Sequence, residues 1–362
     1  MPTADRPASP TPKRGRGAVG NPAGRFEVRR VDPFDDGWDA GERSEDRLVT
    51  SVTEERARTI LSKNSSPDIP FDVSLNPYRG CEHGCIYCYA RPTHSFLGLS
   101  PGLDFESKLF AKTNAPELLR AALRKPGYEP RPIALGTNTD PYQPIERRYE
   151  ITRKILEVLE EFQHPATIVT KSALVLRDLD LLERMANAGR VHVYLSVTTL
   201  DRSLARTMEP RASTPERRLE VLGALTGVGV PCGVLAAPMI PALNDHELER
   251  ILAAARERGV EQAGYILLRL PHEVAPLFEE WLHAHYPDKA HHVLSVLRQM
   301  RGGELYRAGW GHRMRGTGPF AELLRRRFET ACRRLGLSRD RPLLDVDAFS
   351  VPPQRGDQSR LF

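Results

Sequence analysis

Six short apolar runs mark the middle of the chain: Val73 to Leu75, Ile133 to Leu135, Thr167 to Thr170, Val191 to Ser196, Gly233 to Ala237 and Tyr265 to Leu268. Several are apolar and β-branched at consecutive positions, as strands covered on both faces are. Between them apolar residues recur at helical spacing, as in Ile151, Ile155, Val158, Leu159 and Phe162, or Leu248, Ile251, Leu252 and Ala255. Six strands alternating with helices predict an α/β fold on a parallel sheet, open or curled into a barrel. Thr214 before Pro215 predicts an N-cap with proline at the first helical position, and Asn244 with Glu247 three residues on resembles a capping box. Upstream, Glu54 to Leu61 is expected to form one helix. Downstream, residues 272 to 336 read as helices with a Gly-rich break from Gly309 to Gly318. His192, inside an apolar run, is expected as a core histidine with its hydrogen bonds satisfied.

Composition bounds this pattern. Residues 1–25 repeat Pro, Gly, Ser and Arg, bury too little apolar surface to offset the entropy of ordering, and are expected as a disordered basic tail. An N-terminal extension (26–70), an α/β core (71–271) and a helical C-terminal extension and tail (272–362) follow. No run approaches the roughly 18 apolar residues of a membrane span, and the N-terminus lacks the apolar stretch of a secretory signal. The expectation is a cytoplasmic protein without a membrane partner. The net charge of +5 is uneven: residues 1–30 hold seven Lys/Arg against two acids (+5), and residues 301–362 hold thirteen Arg against seven acids (+6), leaving the middle at −6. Basic ends make nucleic acid a candidate partner. Only eight of the 52 basic residues are Lys, however, a skew that coding bias also produces, and a solvated surface is the other reading.

Five cysteines in a cytosolic chain are not a disulfide framework. Cys232 and Cys332 stand alone and are expected as buried thiols. Cys81, Cys85 and Cys88 fall within eight residues, and that cluster asks for a metal. Spacings of three and two let a tight loop point three thiolates at one site, and Gly80 and Gly84 permit the close backbone approach. Three ligands are one short of a closed structural site, and a position open to an exogenous ligand is what a catalytic centre requires. Structural zinc completed by His83 or His94 is the alternative at this point.

The pattern Cys81-x3-Cys85-x2-Cys88, with Tyr87 immediately before the last cysteine and a predicted strand before the loop, is similar to the signature of the radical S-adenosylmethionine (SAM) family. The wider stretch from Asn76-Pro77-Tyr78-Arg79-Gly80 through Tyr89-Ala90-Arg91 resembles more narrowly its spore photoproduct lyase-like, or DNA-repair-photolyase-like, branch. The resemblance covers the chain from residue 70 or so to about 270 and implies a partial (β/α)6 barrel, the radical SAM core. It implies that Cys81, Cys85 and Cys88 bind three irons of a [4Fe–4S] cluster, while the fourth iron chelates the amino and carboxylate groups of SAM. It implies a lyase-like enzyme that cleaves SAM reductively to a 5′-deoxyadenosyl radical, which abstracts hydrogen from a substrate. An electron donor such as a flavodoxin or ferredoxin is then a partner.

In a parallel barrel, ligand groups come from the C-terminal strand ends. The resemblance makes Asn138 and Asp140, in Gly136-Thr137-Asn138-Thr139-Asp140-Pro141-Tyr142, candidates for the SAM amino group, with a turn before Pro141 as the other reading. It supports Lys171 as a candidate for the SAM carboxylate, with a solvated strand-end charge as the other reading, and makes Tyr87 a cofactor-side aromatic. By their place after the strand ends, Ser196 and Thr198 are candidates for the ribose hydroxyls, with β-propensity and turn formation as the other reading, and Arg211 is a candidate bidentate carboxylate clamp, though it is one Arg among very many. Asn244 reads as a helix cap and Arg269 as half of a structural salt bridge, with a place facing the substrate as the other reading of Arg269. No catalytic residue is identified, although Tyr142 is a candidate hydrogen source. In spore photoproduct lyase a cysteine near the end of the second strand returns hydrogen to the product radical, and this chain has none between Gly136 and Asp140. Three functions stay open: a radical SAM enzyme of unidentified substrate, a lyase repairing nucleic-acid lesions, and a non-catalytic metal-binding or iron–sulfur module.

Overall fold

The computed structural model describes residues 11–27, 48–340 and 343–353. Its strands are β1 (Ser51–Glu55), β2 (Leu61–Lys63), β3 (Val73–Leu75), β4 (Tyr78–Arg79), β5 (Lys108–Lys112), β6 (Ile133–Leu135), β7 (Ala166–Thr170), β8 (Val191–Ser196), β9 (Cys232–Met239) and β10 (Gln262–Leu267). All six predicted runs are strands. β3, β6, β7, β8, β9 and β10 pair in parallel and in chain order, and β2 adds antiparallel to the β3 edge. Helices Ala115–Leu123, Ile151–Glu161, Leu179–Asn187, Pro215–Gly227 and Leu248–Arg256 return the chain between successive strands, which gives the partial (β/α)6 barrel. Helices Val274–His285, Pro287–Met300 and Gly318–Leu335 make the C-terminal extension. Among the described residues no helix is long and apolar enough to cross a membrane.

Alternation divides the parallel sheet into two faces. Ala166, Ile168, Val191, Val193, Leu195, Val234 and Ala236 are buried in the hydrophobic core. The other face carries Thr167, Val169, His192, Tyr194 and Gly233, aligned by the pairings Thr167 with His192, Val169 with Tyr194, and Tyr194 with Gly233. His192 is buried there, but neither ring nitrogen has a hydrogen-bond partner, contrary to expectation; burial holds its pKa down at about 4.

Three local expectations are corrected. The segment from Glu54 to Leu61 is strand, turn and strand rather than helix: Val52 and Thr53 pair with Leu109 and Phe110 of β5, and sheet pairing overrides the Glu-rich composition. Asn244 does not cap. Its Oδ1 accepts from the Ile240 N–H (2.6 Å), and its Nδ2 donates to the carbonyls of Thr198 (2.7 Å) and Pro238 (2.9 Å). Thr214, by contrast, caps as predicted, accepting from the Arg217 N–H. Finally, residues 1–10 of the expected tail lie outside the described residues, while Arg16 to Val19 are buried against the core and residues 11–14 before them are exposed. Burial of this stretch depends on hydrogen bonds to distant groups, which composition does not reveal.

Candidate active site

β3 continues through Asn76 and Pro77 into β4, and Gly80 (φ 73°) turns the chain into the loop 81–88. A Cβ on Gly80 would lie 2.7 Å from a Leu109 methyl and 2.9 Å from both the His94 ring and the Phe105 carbonyl oxygen, so only glycine fits. The loop is held by its backbone. Buried Arg91 donates from Nε to the Cys85 carbonyl (2.9 Å), from Nη2 to that of Gly84 (3.2 Å), and from Nη1 to those of Pro101 (3.1 Å) and Gly102 (2.9 Å). Its charge is met by the fully buried carboxylate of Glu106. Glu106 also accepts from the N–H groups of Gly17 (2.9 Å) and Ala18 (2.8 Å), which straps the N-terminal segment over the loop. Gln143 closes the opposite side, accepting from the Glu82 N–H (2.9 Å) and donating to the Gly80 carbonyl (3.1 Å).

Within this frame Cys81 and Cys85 are buried and Cys88 is half-buried. Burial raises all three thiol pKa values; Asp140, Cys85 and Cys88 raise that of Cys81 further, and Glu209 and Cys88 raise that of Cys85 against the opposing charges of Lys171 and Arg218. Such a trio ionises together only around a positive group. Among the described residues no three Cys, His, Asp or Glu side chains converge on a point where one ion would sit. His83 Nδ1 lies 3.4 Å from Asp140 instead, and His94 Nε2 is 2.9 Å from the Lys108 carbonyl. With His83 engaged by Asp140 and His94 by the Lys108 carbonyl, neither histidine is left free to complete a zinc site with the thiols.

The expected ligands divide into two sets. Asn138, Lys171 and Ser196, following or ending β6, β7 and β8, keep side-chain polar atoms without a hydrogen-bond partner among the described residues. Lys171 Nζ lies 5.8 Å from the centre of the Tyr87 ring. The other expected ligands are engaged inside the chain. Asp140 accepts from Thr170 Oγ1 (2.7 Å), the Lys171 N–H (2.8 Å) and the Tyr142 N–H (2.9 Å). Although burial raises its pKa, His83 and these donors outweigh it and hold the pKa down at about 2. Thr198 is fully buried, with its hydroxyl 2.7 Å from Glu209 and 3.2 Å from the Ala237 carbonyl, and Tyr87 donates to the same Glu209 carboxylate. Arg211 pairs with Glu82 and donates from Nε to the Gly15 carbonyl (3.2 Å), so its guanidinium ties loop to strap. Tyr142 is fully buried, and Asp178 and Glu146 near its phenol reinforce the pKa rise that burial imposes. Arg269 has no carboxylate partner among the described residues; its guanidinium lies 4.5 Å over the Tyr89 ring, and Tyr89 donates to the Thr137 carbonyl. This stacking replaces the expected salt bridge.

The radical SAM superfamily matches residues 75–255, half of the chain, from the end of β3 into the helix before β10. The chain belongs to the radical SAM superfamily. It is 39% identical to uncharacterized protein Rv2578c of Mycobacterium tuberculosis over 246 residues, 67% of this chain and 69% of that protein. It is 31% identical to uncharacterized protein MJ0683 of Methanocaldococcus jannaschii over 173 residues, 48% of this chain and 62% of that protein. Among solved structures, spore photoproduct lyase complexed with dinucleoside spore photoproduct matches with a TM-score of 0.56 and 16% identity, over 79% of this chain and 80% of that one. At that identity the likeness is one of fold.

Several residues that build this radical SAM core carry no sequence signal. Glu209 and Arg218 form a buried ion pair, and Arg218 also donates to the carbonyls of Ser196 (3.0 Å) and Ser213 (2.8 Å), which locks the end of β8. Asn76 Oδ1 accepts from the N–H groups of Asn138 (2.9 Å) and Thr139 (3.3 Å), so the strand that feeds the cysteine loop also shapes the turn after β6. Asn76, beside the motif, was the one such residue that position in the sequence could have flagged.

Proposed function

We propose that this chain is a radical SAM enzyme in which Cys81, Cys85 and Cys88 hold a [4Fe–4S] cluster and SAM is cleaved reductively, the resulting 5′-deoxyadenosyl radical abstracting hydrogen from a substrate not yet identified. The observation that carries this reading is the thiol trio of Cys81, Cys85 and Cys88, its loop fixed through the backbone by Arg91 and Glu106 and placed at the start of a parallel half-barrel. When bound, the cluster supplies the low-potential electron and an open iron for SAM. The chain's own residues do the rest. Asn138, Lys171 and Ser196 offer uncommitted polar atoms to the amino, carboxylate and ribose groups, Lys171 as a cation near the carboxylate. Tyr87, Thr198, Asp140 and Arg211 hold those residues and the loop in place through Glu209, His83 and Glu82.

Photoproduct reversal by a cysteine relay is not part of the proposal. Gly136 has φ 86°, and a Cβ there would overlap the Val169 carbonyl, so no thiol fits that position. Cys232 and Cys332 are both buried within the hydrophobic core. Anaerobic reconstitution with iron and sulfide, followed by SAM and dithionite, tests the main reading. Iron bound with sulfide and formation of 5′-deoxyadenosine are expected, both lost in Cys85→Ala. Bound zinc without iron, or a cluster whose spectrum ignores SAM, would overturn it in favour of a passive metal module.

A further inference from the structure

Two adjoining cavities, of about 590 and about 200 Å³, open beside the cysteine loop between Ser172–Leu174, Arg147 and the start of the helix Pro215–Gly227. Arg147, Arg177, Arg211 and Arg217 contribute to their walls, and no carboxylate does. The smaller cavity reaches His83, which lies between Cys81 and Cys85. The carboxylates that pair with Arg177 and Arg211, namely Glu146, Asp178 and Glu82, are buried behind the lining, so the face turned outward is cationic. Arg147 has no acidic partner among the described residues, and Arg217 has only the exposed Glu220. Lys13 and Arg14 extend the same charge, since they are exposed immediately before Gly15, whose carbonyl accepts from Arg211.

We propose that this arginine-lined face is the docking surface for an acidic one-electron carrier protein. The inference rests on the proposed function, because it supplies the electron that reading requires. Electron tunnelling weakens steeply with distance, so a carrier must approach the loop itself. The side of the loop facing the free ends of β6 to β8 is reserved for SAM and substrate, and the strap of residues 11–27 covers another. The His83 side presents both an opening and positive charge. One electron leaves the carrier's flavin or iron–sulfur centre, which is oxidised by one unit, and enters the cluster, which is reduced by one; no atom or proton needs to move. Complementary charge of this kind acts through encounter rate and salt dependence. A nucleic acid would also be drawn to cations, but it has no need of a surface that backs onto the metal loop.

The test is anaerobic titration of an acidic flavodoxin, as probe, into the holo chain, read by fluorescence anisotropy. Wild type, the double variant Arg147→Glu/Arg217→Glu and Lys125→Glu, an exposed charge reversal outside these cavities, are compared. About tenfold weaker flavodoxin binding is expected for the double variant at low salt and none for Lys125→Glu, with the difference disappearing at high salt. Equal affinities, or no binding to wild type, overturn the proposal. So does loss of affinity for a single-stranded oligonucleotide with flavodoxin binding intact, which would assign the face to nucleic acid. Thermal melts should be unchanged, since both arginines are exposed, and dithionite-driven 5′-deoxyadenosine formation should persist in the double variant. If wild type makes no product even with dithionite, the proposed function fails independently of the docking result.

Discussion

Gly17→Ala is the sharpest probe of how the cysteine loop is held. A Cβ at Gly17 would overlap the Gly84 carbonyl oxygen and lie 3.0 Å from its carbonyl carbon and 3.3 Å from the Ile86 nitrogen. These are backbone atoms of the loop, which Arg91 holds from below, so they cannot yield as a flexible side chain would. Overpacking of this kind costs about 1–3 kcal/mol if the segment stays in place. If it lifts instead, the two N–H bonds from Gly17 and Ala18 to Glu106 are lost, each worth about 1.5–3 kcal/mol to a charged acceptor, and buried Val19 gives up roughly 1.5 kcal/mol of apolar burial. Either route destabilises the strap by several times RT. Limited trypsin digestion reads the outcome. Arg16 is buried, with Nη1 on the Glu106 carbonyl (2.7 Å) and Nη2 on the Leu48 carbonyl (2.7 Å) and Thr50 Oγ1 (2.9 Å), and should resist cleavage in wild type; exposed Lys13 and Arg14 serve as internal references. Cleavage after Arg16 should become rapid in Gly17→Ala. Gly227→Ala, where a Cβ meets open space, should leave it slow. Unchanged protection at Arg16 in Gly17→Ala would refute the view that this contact seats the strap on the loop.

Other expectations concern the core. Arg218→Met leaves the Glu209 carboxylate buried without its cation, and a loss of about 3–5 kcal/mol is expected in urea denaturation; a loss below about 1 kcal/mol would show that Tyr87 and Thr198 suffice. Burial lowers the pKa values of His164 and His192 to about 4, against about 6.5 in an unfolded chain. Between those values the unfolded state binds more protons, so the histidines' contribution to stability should fall on acidification from about pH 6.5 to about 4, below which the further loss comes from carboxylates such as Asp140. His192→Leu removes one of these groups together with two unpartnered buried nitrogens, and should flatten that slope while raising stability at neutral pH; an unaltered slope counts against the burial argument. Gly136→Cys is expected to destabilise by at least about 1–3 kcal/mol, from strain at positive φ and overlap with Val169. A well-folded variant with an accessible thiol would show that the turn tolerates a side chain.

The strands and the cysteine trio were legible because both are local: consecutive apolar residues mark a doubly covered strand, and three thiols within eight residues have few structural uses. What the sequence hid was long-range or carried by common residues. The strap has no apolar period, and its burial depends on a carboxylate 89 residues away. Arg91, Arg211 and Arg218 are three among very many arginines, and nothing in their spacing separates those that become buried from those that stay in water. Thr198 and Asp140 were legible as polar groups at strand ends, but not as groups already engaged by Glu209 and His83. β1 was misread because a single exposed strand gains its stability from its partner β5, which lies more than fifty residues on.

That division of polar groups narrows where a ligand would lie. Hydrogen bonds already made within the chain cannot be offered to a ligand without leaving a buried partner unsatisfied, at a cost of about 1–3 kcal/mol each. On the proposed reading, SAM therefore selects Asn138, Lys171 and Ser196, which lie at or just past the ends of three neighbouring strands, with Lys171 Nζ over the Tyr87 ring. The β10 end of the rim, where Arg269 stacks on Tyr89, is left for the substrate. The two regions make opposite predictions for two substitutions. Lys171→Ala should weaken SAM binding to the reconstituted protein about tenfold or more, consistent with loss of one charge-assisted contact, whereas Arg269→Ala should leave SAM affinity unchanged while altering substrate turnover once a substrate is found. If Arg269→Ala weakened SAM and Lys171→Ala did not, the assignment of the rim would have to be reversed, since SAM would then select the cation over Tyr89 rather than the one over Tyr87.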